Sequence, residues 1–105
     1  MKRLFALTFV LSIAACGPVY QLAATKTVPS KPVGCDFQVA ASLPEGYEEI
    51  GLVTRTVTAG GAMQPDTFKK WIADDVCKAG GDLVVTQING EGYIVRGVVF
   101  RKVSQ

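Results

Sequence analysis

The chain has 105 residues, with 11 Lys or Arg, 9 Asp or Glu, no histidine and a formal charge of +2. That length holds one small domain. The lack of histidine excludes a histidine general base, a histidine zinc ligand and any Ser-His or Cys-His nucleophile pair.

Lys2 and Arg3 open the chain, and an apolar run from Leu4 to Ala15 follows them. The run is about a dozen residues, against the roughly 20 that a membrane-spanning helix needs. A basic start, a short apolar middle and small residues at the exit predict a secretory signal over residues 1–15. Losing it removes Lys2 and Arg3 and leaves nine basic and nine acidic side chains. A balanced charge leaves no electrostatic footprint for nucleic acid.

The block Ile13-Ala14-Ala15-Cys16 resembles the lipobox of bacterial lipoproteins: a branched aliphatic, two small residues, then cysteine. The resemblance implies that the Cys16 thiol receives a diacylglyceryl group. It implies cleavage between Ala15 and Cys16, then acylation of the new amino group, so that lipid on Cys16 holds the protein to a membrane. One acyl chain binds marginally, at about 0.8 kcal/mol per buried methylene, whereas two or three hold firmly. Gly17 stands where an aspartate often retains lipoproteins in the inner membrane. The resemblance therefore favours the outer membrane of a bacterial envelope, facing the periplasm. The competing reading is a secreted protein cut elsewhere, with Cys16 removed.

Cys35 and Cys77 remain. In an exported chain two such cysteines are expected to pair. The loop of roughly 40 residues between them would contribute about 4 kcal/mol by chain entropy. Two free thiols, a redox-sensing pair and a bond to another chain are the alternatives.

Residues 16–34 read as the lipidated cysteine and a flexible tether. Pro18, Pro29 and Pro32 and a run of polar residues oppose regular structure. Fully extended, such a tether reaches roughly 60 Å. The small domain is expected over residues 35–105. Its first strand is predicted over Cys35 to Ala40, and Ser42 to Gly46 is turn chemistry. A second strand is predicted from Tyr47 to Val57, with Gly51 marking a bulge or a close backbone approach. Glu48 and Glu49 fall on opposite faces of it and do not form a catalytic carboxylate pair.

A helix is predicted from Pro65, which suits a first helical position, to a left-handed cap at Gly80. Phe68, Ile72, Val76 and Ala79 make its apolar stripe, and Cys77 lies at the stripe's edge. A third strand follows over Leu83 to Ile88, then a turn at Asn89-Gly90-Glu91-Gly92. The last strand runs from Tyr93 to Val103. Arg96 and Lys102 share one of its faces, and Gly97, Val99 and Arg101 share the other, which is the expected core face. The predicted fold is α+β: a two-layer sandwich of one helix on a four-stranded, mostly antiparallel sheet, in the order β-β-α-β-β.

The lipobox, the paired cysteines and the passage Cys77-Lys78-Ala79-Gly80-Gly81-Asp82-Leu83-Val84-Val85 resemble small envelope lipoproteins of the type of the Rcs phosphorelay sensor. The likeness spans residues 47–103 and implies a disulfide-stabilised α/β domain with a sensing role. This chain has fewer cysteines after the anchor than that sensor.

Convergent chemistry is scarce. Asp74-Asp75 reads as a solvated helix face rather than a cation site, and neither glycine pair has phosphate-loop spacing. No metal or other cofactor is expected. Trp71, Arg96, Arg101 and Lys102 are the candidate interaction surface. Trp71 is otherwise an ordinary helix-flank residue, and the basic side chains otherwise protect a strand edge. The expected function is a non-enzymatic interaction, sensor or assembly module with an envelope protein as partner. The alternative is a small-ligand binder or enzyme built on a polar pocket of Asp82, Tyr93 and Arg96.

Overall fold

The computed structural model describes residues 18–103, so the expected signal and Cys16 lie outside the described residues. Six elements follow one another: β1 (Tyr20–Ala24), β2 (Gln38–Ala40), β3 (Tyr47–Arg55), α1 (Pro65–Ala79), β4 (Leu83–Ile88) and β5 (Ile94–Lys102). Helix α1 begins at Pro65 and ends on Gly80, whose φ of 84° is the left-handed conformation glycine adopts without a Cβ penalty. A Cβ at Gly80 would also meet the Pro29 carbonyl at 2.5 Å, so the site is closed to other residues on two counts.

The strands form one sheet in the order β1-β3-β5-β4-β2. The expected four strands are five, and the sheet is mixed. The additional strand, β1, comes from residues read as tether. It pairs antiparallel with β3 from Tyr20↔Arg55 to Ala24↔Gly51. Strand β2 pairs in parallel with β4, which the turn-rich sequence around it did not indicate. Strand β5 is antiparallel to both β3 and β4. Those two therefore run parallel to each other, with α1 as their connection and β5 between them.

Helix α1 covers one face of this sheet. Phe68, Ile72, Val76 and Cys77 are its buried residues. They pack with Tyr20, Ile50, Val53, Val84, Ile94 and Val99 in one core cluster. Gly97 is the point of closest approach. A Cβ there would lie 2.7 Å from Val84 Cγ1 and 3.2 Å from Phe68 Cζ, so its bare backbone admits the Phe68 ring. The ladder shifts register between Glu49 and Gly51, the bulge expected of that segment. The opposite sheet face carries a second apolar strip, Leu52, Val85 and Val98, with Leu83 paired to Phe100.

Residues 25–35 do not hang free. They cross the C-terminal end of α1 from one sheet edge to the other. The Lys31 amide donates to the Cys77 carbonyl at 2.8 Å, and the Ser30 hydroxyl donates to the Lys78 carbonyl. These bonds satisfy helix-end carbonyls that have no intrahelical partner. Cys35 and Cys77 form a disulfide that closes this strap onto the helix. Cys35 sits in a turn ahead of β2 rather than inside a strand, which resolves how Cys77 reaches it from the edge of the helical stripe.

Candidate functional site

The candidate surface residues are placed by strand parity. Arg96 pairs with Thr54 and Gln87 and is exposed on the face away from α1. Lys102 lies on that same face, six residues further along β5, about 20 Å away at the usual rise per residue. Arg101 faces the other way, and its Nε donates to Glu48 Oε1. The three basic side chains therefore do not converge into one patch.

The polar pocket of the alternative reading is not assembled either. Asp82 sits at the helix-end side of the sheet, where its amide donates to the Phe100 carbonyl at 2.8 Å. Its carboxylate accepts from the Lys31 ammonium and, at 2.8 Å, from the Lys102 amide. Tyr93 and Arg96 belong to the opposite end of β5, about 13 Å or more along the strand. A groove of ≈ 440 Å³ does run between β1 and α1, lined by Leu22, Ala24, Asp75, Lys78 and Ala79 among others. Among the described residues, no group of three or more His, Cys, Asp or Glu side chains is gathered in a way that could hold a metal ion.

Two carboxylates are nevertheless electrostatically tuned. Glu48 is held below its ordinary value of 4.5 by hydrogen bonds from Lys26 and Arg101. For Asp82 burial pushes upward, but Lys31 and the Lys102 amide outweigh it and the carboxyl falls below its ordinary 3.8. A depressed carboxyl contributes stability that is complete above the unfolded-state value and is lost as pH falls through the lower folded-state value. The domain is therefore expected to lose stability as pH drops below 4.5 and then 3.8. Both pairs are solvent-accessible, so the effect is small and weakens with salt. Urea midpoints measured from pH 6 downward check this: Asp82→Asn should flatten the acid limb.

Trp71 is half-exposed on α1, and its ring lies 6.1 Å from that of Tyr20. Tyr20 is buried and does structural work: its hydroxyl donates to the Ile94 carbonyl at 2.6 Å and accepts from the Ala62 amide at 2.9 Å. It joins β1, the connection before α1 and the start of β5. The only sequence sign of this was the alternation Tyr20-Gln21-Leu22-Ala23, short and preceded by a proline. No protein-family model, curated protein or solved structure matches the chain.

Proposed function

We propose that this is a lipid-anchored protein of the bacterial envelope, acting as a non-enzymatic interaction, sensor or assembly module. The observation that carries the reading is Lys2-Arg3, the apolar run and Ile13-Ala14-Ala15-Cys16 in sequence. The Cys35–Cys77 disulfide supports it, because such bonds persist in exported proteins and are rare where thiols are kept reduced. Gly17 after the anchor favours the outer membrane, facing the periplasm.

The test is intact mass. The full-length chain is expressed in a bacterium with two membranes, extracted, and alkylated without reduction. The expected species lacks residues 1–15, carries added acyl mass on Cys16 and has no alkylated cysteine. Cys16→Ser is expected to lose the acyl mass and to keep residues 1–15. An unacylated wild-type product sinks the anchor.

A further inference from the structure

Pro18 is already held: its carbonyl accepts from the Thr56 hydroxyl, and the Val19 carbonyl accepts from the Thr56 amide at 2.7 Å. Tyr20 then enters the core. Cys16 lies two residues before Pro18, so its Cα lies within about 8 Å of Pro18. A bilayer is about 40–45 Å thick with headgroups and about 30 Å without, leaving about 5–8 Å for each headgroup layer. The leash is thus no longer than that layer is deep.

Among the described residues seven large apolar side chains are exposed; Val33, Leu43 and Val103 are three of them, and the other four belong to the end of the domain at which β1 starts. Trp71 is 51% exposed, Met63 52%, Val57 40% and Ile88 58%. Each is tied to that end. Val57 follows Thr56. Met63 follows Ala62, whose carbonyl accepts from the Ile94 amide at 2.8 Å. A Cβ on Gly92 would lie 3.4 Å from Met63 Cε, and Ile88 pairs with Ile94. Trp71 flanks Tyr20. Exposed apolar groups gathered on one surface mark a contact site. Tryptophan in particular favours the boundary between lipid and water, where its ring is apolar and its N–H stays wet.

We infer that the domain lies directly on the bilayer, with Val57, Met63, Trp71 and Ile88 seated in the headgroup layer around the anchor. This rests on the reading of Cys16 as acylated. The four side chains of the contact are all uncharged, so the attraction is apolar.

Trp71 is the only tryptophan, which makes it the probe. The full mature protein, purified from membranes, is reconstituted into phosphatidylcholine vesicles, and intact mass is recorded on the same sample. The expected result is a blue-shifted emission relative to a chain that starts at Gly17 and so carries neither signal nor lipid. Quenching by brominated acyl chains should be strong, and quenching by aqueous acrylamide should fall several-fold. A chain without acyl mass overturns the anchor and this placement with it. An acylated chain whose Trp71 stays open to acrylamide overturns the placement alone. Protection from acrylamide without quenching by brominated lipid would show a second copy covering Trp71 and would overturn the lipid assignment.

Discussion

Reduction of the Cys35–Cys77 bond is expected to lower the stability of the domain by about 4 kcal/mol, the chain-entropy value for a closed loop of this size. The bond spans a sequence separation of 42 residues, and β2, β3 and most of α1 lie inside it. Small domains have about 5–15 kcal/mol in total, so the loss removes a large fraction. With a urea slope of about 1–2 kcal/mol/M, the midpoint should fall by about 2–4 M between oxidised and reduced protein. The Cys35→Ser variant should match the reduced wild type, leaving Cys77 as a buried thiol. A shift near zero would mean that the Ser30 and Lys31 bonds to the helix end already hold the loop closed.

Tyr20→Ala is expected to cost about 3–5 kcal/mol, the range for deleting a buried aromatic ring. The ring is 3% exposed and stands edge-on to Phe68, with centroids 4.8 Å apart. Its hydroxyl serves the Ala62 amide and the Ile94 carbonyl. Tyr20→Phe separates the two contributions: it keeps the ring and should cost about 1–3 kcal/mol for the buried amide left unpaired. Urea denaturation measures both. If Tyr20→Ala denatures like the wild type, β1 contributes nothing to the fold and residues 18–24 behave as tether.

The elements with local signals were legible. Helix α1 was readable at both ends because proline and glycine act within their own turn, and its stripe needed only helical spacing. Strand β4 is bounded by Gly81 and Asn89 and was read with its observed limits. What failed was non-local. Strand β1 is an edge strand of five residues whose only ladder is with β3, about 30 residues on, and nothing near Tyr20 announces that pairing. Without it the local patterns imply only four strands. The parallel direction of β2 is set by the strap over the helix end and the disulfide, and strand periodicity carries no direction. Cys35 alternates with Phe37 as a strand residue would, whereas its amide closes a turn on the Pro32 carbonyl at 3.1 Å and its sulfur is bonded to Cys77. The alternation in β5 did place Arg101 opposite Arg96 and Lys102, and that same alternation keeps them from forming a patch. The exposed apolar side chains at that end come from the connection before α1 (Val57 and Met63), from α1 itself (Trp71) and from the last residue of β4 (Ile88), so no window of sequence shows them together.

Strand β5 occupies the middle of the sheet, yet it is the last of the described elements in chain order. Both β3 and β4 depend on it for their second neighbour, and only β5 joins the β1–β3 pair to the β2–β4 pair. A chain emerging from a ribosome or a narrow pore therefore has no stable half to fold early. Residues before Ile94 can make only the β1–β3 and β2–β4 ribbons and a lone helix, and isolated two-stranded ribbons are marginal in water. Folding waits for Ile94–Lys102, then engages all strands together. A topology that postpones its own completion leaves the polypeptide without a closed sheet until β5 is in place.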